Sequence, residues 1–144
     1  MTAADVLARA SEARRRIRQI DESIEMLRLR LGPQGHTLER HPKDFVADPM
    51  RRVCDMLDAV EPLEEEREAC GADIEDARRL CCGVAVLVNA TVAEVLELRF
   101  CDGLGAQAIA ARMHYPESLT QAIIDTAPAE LDSVGVPRLM HAGR

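Results

Sequence analysis

The sequence predicts an all-α protein, a long N-terminal helical hairpin followed by a small three-helix domain. Three observations carry this expectation. Two long stretches repeat apolar residues at alternating spacings of three and four; a Gly32-Pro33 stop follows the first and an Asp48-Pro49 start opens the second. The apolar content is 47%, yet only two Phe, one Tyr and no Trp contribute aromatic surface. Ala, Leu, Val, Ile and Met must then fill the core, a composition that favours helices.

The first stretch places Ala3, Val6, Ala10, Ala13, Ile17, Ile20, Ile24, Leu27 and Leu31 in a heptad seam, so residues 2–31 are expected to form one helix. Residues 32–48, with Gly35, His36, His41, Pro42 and Lys43, lack periodicity and read as a loop. Pro49 suits the first helical position, and Val53, Met56, Val60, Leu63, Cys70, Ile74, Ala77, Cys81, Val84 and Val88 then continue a second seam that only Arg67 interrupts. Pro62 removes a backbone donor inside this helix, which predicts a kink or break near Val60. Two seams joined by a loop make residues 1–90 an antiparallel hairpin, and the same stripes allow a homodimer. Arg14, Arg15, Arg16 and Arg18 on the first helix face a second helix carrying Asp58, Glu61, Glu64, Glu65, Glu66 and Glu68, so opposite charges suit the pairing. The arginine cluster reads either as a solvated face or as a basic patch for nucleic acid.

Residues 91–135 form the second region. Thr91 and Glu94 make a capping box, and Val92, Val95, Leu96 and Phe100 give a helix that Cys101-Asp102-Gly103 ends. A short helix is expected from about Gly105 to Met113, with Ala106, Ile109, Ala110 and Met113 inward, then a turn at His114-Tyr115. Pro116 suits the first position of a third helix running to about Thr126 and burying Leu119, Ala122 and Ile123. This is a helix-turn-helix order, in which the last helix is the one placed to face a major groove. Residues 136–144 are left as a C-terminal tail.

The stretch VLELRFCDGLGAQAIAARMHY, Val95 to Tyr115, resembles the first two helices of sigma-factor region four, with its Leu-Arg-Phe, Asp-Gly-Leu and Ile-Ala steps in order. With the long N-terminal helices and the ending LDSVGVPRLM, Leu131 to Met140, the chain resembles the sigma-like regulators of phage late genes of the ArpU and RinA type. The resemblance implies promoter DNA as the partner and a role in transcription regulation of phage packaging, structural or lysis genes.

The chain departs from that family along its third helix. Pro116, Glu117, Ser118, Leu119, Thr120 and Gln121 stand where Ser or Thr near the turn and Arg or Lys along the helix are usual, and no Lys or Arg occurs between Met113 and Pro137. Pro128 is expected to end the helix early. A net charge of −7 also disfavours attraction to a phosphate backbone. Base contacts are left to Ser118, Thr120 and Gln121, with Arg112 on phosphate. An interaction module that binds RNA polymerase or another regulator without touching DNA is the alternative function.

Cys54, Cys70, Cys81, Cys82 and Cys101 show no CxxC or Cys/His ligand spacing and read as reduced thiols, so no metal or other cofactor is expected. His36, His41, His114 and His141 lack a carboxylate or nucleophile at triad spacing, so no catalytic site is expected. With no secretory leader and no apolar run near the ~20 residues a membrane span needs, a cytoplasmic location is expected. Circular dichroism should show more than about half the residues helical, because both seams have helical period. A sheet-rich spectrum would refute the architecture.

Overall fold

The computed structural model describes residues 1–31 and 49–144, and the expected loop at 32–48 lies outside them. All regular structure among these residues is helical: α1 (Ala3–Leu31), α2 (Pro49–Leu87), α3 (Ala90–Leu96), a π-helical turn (Glu97–Cys101), α4 (Ala106–Met113), α5 (Glu117–Glu130), a short 3-10 turn (Leu131–Ser133) and α6 (Val136–Ala142). Contacts divide the chain into two compact units, residues 16–69 and residues 1–15 with 70–144. The division differs from the one expected at residue 90, because α1 and α2 each contribute residues to both units.

In the unit of residues 16–69, Ile20, Ile24 and Val60 are buried together, with Leu27, Met56 and Leu63 packed against them. These are the seam positions. Arg16 grips Glu66 through two hydrogen bonds, Nε to Oε1 at 2.6 Å and Nη2 to Oε2 at 2.8 Å. Arg67, the residue that interrupts the seam, donates from Nε to Asp21 Oδ1 at 2.8 Å. The Arg52 guanidinium reaches the Arg30 carbonyl at 3.5 Å. Pairing 30 with 52 and 16 with 66 runs in opposite chain order, so the helices are antiparallel here.

Pro62 does not break α2, which continues from Pro49 to Leu87 as one helix. Its side is exposed, so the carbonyl left without a donor is on a face that water can reach.

The larger unit is built around Ala3, Val6, Leu7 and Ala10 of α1 and Ala77, Leu80, Cys81 and Val84 of α2, joined by Ala93, Leu96, Cys101, Ala127, Leu131 and Leu139. Leu7 and Leu80 lie outside the strict heptad seam, yet both are fully buried. Alanine at five of these helix positions brings axes close, and burial then spreads to neighbouring positions. The expected tail is instead α6, whose Leu139 is fully buried. Gly83 of α2 makes that docking possible, because a Cβ added there would overlap the Leu139 carbonyl. Gly143 just past α6 stands in the same relation to the Arg79 carbonyl.

Helix ends are capped more widely than the sequence indicates. Thr2 and Asp5 form a reciprocal box, with the Asp5 amide donating to Thr2 Oγ1 at 3.1 Å and the Thr2 amide to Asp5 Oδ2 at 2.9 Å. The Ala3 amide donates to Asp132 Oδ1 at 2.8 Å, so a carboxylate from the 3-10 turn after α5 closes the positive end of α1. The box expected at Thr91 and Glu94 is replaced by Asn89, whose side chain accepts from the Thr91 and Val92 amides at 2.7 and 3.2 Å. Asn89 is extended and one residue before the helix, the geometry an N-cap needs, whereas Thr91 is already helical.

Ile20→Asp should cost several kcal/mol or more by burying an unpaired charge. Gly83→Ala should cost about 1–3 kcal/mol or more by overpacking α6. Urea melts of both variants check this; a Gly83→Ala protein as stable as the parent would refute the close approach of α6.

Candidate nucleic-acid interface

The candidate site is α4, the turn after it and α5, held on α3 and the π-helical turn. Val95, Leu98, Ile109 and Ile124 form the cluster beneath it, with Phe100, Leu104, Ala106, Met113 and Ile123 packed around the edge. The chain leaves α3 through a wider turn, in which the Asp102 amide donates to the Glu97 carbonyl five residues back at 3.1 Å. Gly103 then takes φ +75°, beneath the Arg14 side chain, where any Cβ would collide with Arg14 Nε. Arg14 in turn donates from Nη1 to the Cys101 carbonyl at 3.1 Å.

α4 starts from an extended Gly105 and ends at His114, whose φ of 59° is left-handed. The Tyr115 amide closes the end by donating to the Ala110 carbonyl at 3.0 Å. Pro116 is extended at φ −60° and ψ 140° and stands before α5 as its N-cap, not at the first helical position as expected. Three residues, 114–116, therefore separate two helices. The order and the tight turn match a helix-turn-helix.

The rotation of α5 differs from the expected one. Thr120, Ile124, Ala127 and Pro128 are buried, while Leu119 is 47% exposed, Ala122 is exposed and Ile123 is only half-buried. Thr120 therefore cannot read a base edge, since it is 0% exposed and donates its hydroxyl to the Pro116 carbonyl at 3.2 Å. That bond lets a polar residue hold a core position, and it removed the apolar signal that periodicity reads. Pro128 does not end α5 either, which runs on to Glu130 with the proline ring buried.

Ser118 and Gln121 are exposed on the outer face of α5, and Arg112 is exposed in the last turn of α4. Gln121 Nε2 donates to Asp125 Oδ1 at 2.8 Å, an interaction one helical turn long that a base edge would have to displace. Ser118, Gln121 and Arg112 are each accessible to solvent; Thr120 is not.

The arginine cluster of α1 is largely engaged. Arg14 holds the Cys101 carbonyl, Arg15 pairs with Glu12 at 3.2 Å, and Arg16 is bound to Glu66. Hydrogen bonding to Arg16 holds the Glu66 carboxyl below its usual range. Arg18 is exposed.

Sequence reading missed a polar cluster beside the site. Arg78 of α2 donates from Nη1 to Glu97 Oε1 at 2.8 Å and from Nη2 to Asp102 Oδ1 at 3.2 Å, tying both ends of the π-helical turn to α2. Burial works against the Arg78 charge, but the bonds to Asp102 and Glu97 outweigh it and hold the guanidinium above its ordinary range. Nothing in the spacing of residues 78, 97 and 102 announces this cluster, because it exists only once α2 and the turn meet.

Among the described residues, no group of three or more His, Cys, Asp or Glu side chains is placed to hold a metal ion, and no helix is long and apolar enough to cross a membrane. Comparison with protein-family models, curated proteins and solved structures finds no match to this chain.

Thr120→Glu should destabilise the protein by several kcal/mol, whereas Leu119→Glu should stay within about 0.5 kcal/mol of the parent. Thermal and urea melts of the two variants test the rotation of α5. The reverse order of stabilities would restore the face expected from periodicity.

Proposed function

We propose that this chain is a sigma-like, DNA-binding transcription regulator of phage origin, in which α4 and α5 are the helix-turn-helix and α5 is presented to the major groove. The observation that carries this reading is the tight turn of residues 114–116, with His114 left-handed, between two short helices seated on one apolar cluster. It is the arrangement that the resemblance to sigma-factor region four implies. Gln121 and Ser118 are the base-contacting residues in this reading, and Arg112 supplies a phosphate contact. Its recognition helix is diverged from the family, since it offers no cation.

A second reading is favoured by that same face. α5 exposes Leu119, Glu117 and Asp125, and Tyr115 is 37% exposed at the preceding turn. An apolar and acidic surface suits a protein partner such as RNA polymerase or another regulator better than it suits phosphate.

A gel-shift series against DNA flanking the gene, run from low to physiological salt, separates the two. Under the first reading Gln121→Ala lowers discrimination between sequences by about 1–3 kcal/mol with little change in salt slope, and Arg112→Ala reduces the slope by about 1. Absence of binding at low salt, together with co-elution of the chain with purified RNA polymerase that Leu119→Glu abolishes, would replace it with the second.

A further inference from the structure

Of the five cysteines, two are brought together by the fold. Cys81 on α2 and Cys101 at the end of the π-helical turn are 1% and 0% exposed in the same core cluster, and their thiols hydrogen-bond to each other. Cys82, next in sequence, is exposed, as is Cys54, and Cys70 is half-buried. The helical turn of α2 that carries Cys81 also carries Arg78, which holds Glu97 and Asp102 on either side of Cys101. Arg14 fixes the Cys101 carbonyl. Both thiols thus sit on backbone that is tied down by charged hydrogen bonds within the same unit.

We propose that Cys81 and Cys101 form an oxidisable dithiol pair that peroxide converts to a disulfide, covalently joining α2 to the π-helical turn that leads into α4. The pair is asymmetric in a way that suits this chemistry. The hydrogen bond from Cys81 holds the Cys101 thiol below its ordinary range against the opposing effect of burial, with the Arg78 charge adding to it, and the same bond pushes Cys81 up. Of the two, Cys101 is the one whose sulfur attacks once it has lost its proton. Its sulfur takes one oxygen of hydrogen peroxide, breaking the O–O bond and releasing hydroxide, and becomes a sulfenic acid. The Cys81 sulfur attacks that sulfur, the S–S bond forms, and the sulfenic hydroxyl leaves as water with the Cys81 proton. In sum two thiols and one peroxide give one disulfide and two waters. Reduction by a small dithiol reverses the change.

Burial makes the pair slower to react than exposed Cys54 and Cys82. Once formed, the bond closes a loop containing α3, which stabilises the folded chain mainly by restricting the unfolded one. The proposal is independent of whether α5 meets DNA.

The test uses the full chain treated with stoichiometric hydrogen peroxide, unfolded in an alkylating agent and mapped by mass spectrometry after tryptic digestion without reductant. A cross-link between peptides 80–99 and 100–112, with loss of two hydrogens, is expected in the parent and in Cys82→Ser, and not in Cys101→Ser. The oxidised protein should also melt at a higher temperature than the reduced one, and dithiothreitol should restore the reduced melt. Loss of the cross-link in Cys82→Ser would assign it to the exposed neighbour and overturn the proposal. So would a digest in which Cys81 and Cys101 are both alkylated while only Cys54 and Cys82 are oxidised. If Cys101→Ser does not fold, the Cys82→Ser map decides alone.

Discussion

Close approach of helix backbones at small residues is the constraint on which the larger unit depends. With no Trp and so little Phe and Tyr, this chain cannot fill wide gaps between helices with large rings. It narrows the gaps instead. Ala3, Ala10 and Ala77 are buried at the core, and Gly83 meets the Leu139 carbonyl so closely that no side chain fits between them. Dispersion contacts fall off within a fraction of an ångström of separation, so small residues at the crossing let Leu7, Leu80 and Leu96 make contacts that larger neighbours would prevent.

Charge is organised around the same packing. α1 and α2 carry opposite charges, and the strongest geometry goes to pairs that bridge them, Arg16 with Glu66 and Arg67 with Asp21. These pairs are exposed and water-screened, so they set register between the helices more than they stabilise them. Arg78 is different in kind: one guanidinium satisfies two carboxylates, Glu97 and Asp102, and holds the π-helical turn against α2. A turn with a widened hydrogen-bond ladder is thereby anchored at both ends, and α4 and α5 follow from a fixed starting point. Asp132 performs a similar service for α1, bringing a carboxylate from beyond α5 to an amide that the helix leaves unpaired.

The consequence for function is a helix pair with the order and turn of a helix-turn-helix but an outer face unlike a typical one. Three arginines of the α1 cluster have partners within the protein, and α5 has no cation to offer phosphate. What α5 does present is Gln121, Ser118 and a partly exposed Leu119 among carboxylates. Whichever partner meets this face, the rigid element behind it is the cluster of Val95, Leu98, Ile109 and Ile124, and the contact residues are the ones that cluster leaves outward.

By itself the sequence determined the all-helical class, the extents of α1 and α2 where they are described, the antiparallel pairing of residues 16–69, and the breaks at Asp102-Gly103 and at His114. Those features are local: apolar period, a proline at a helix start, a residue able to take a left-handed turn, and opposite charges along two stripes. Tertiary structure alone decided the rest. It turned Val136–Ala142 of the expected tail into a docked helix, because Gly83 and Gly143 remove side chains at a crossing that no local pattern reveals. It also kept α2 and α5 intact through Pro62 and Pro128. At Thr120 it placed a hydroxyl in the core, satisfied by the Pro116 carbonyl, and so turned α5 by one position from the face its apolar residues predict. And it set Cys81 beside Cys101, twenty residues on, because side-chain contact depends on where helices cross and that is a property of the packed core, not of spacing along the chain.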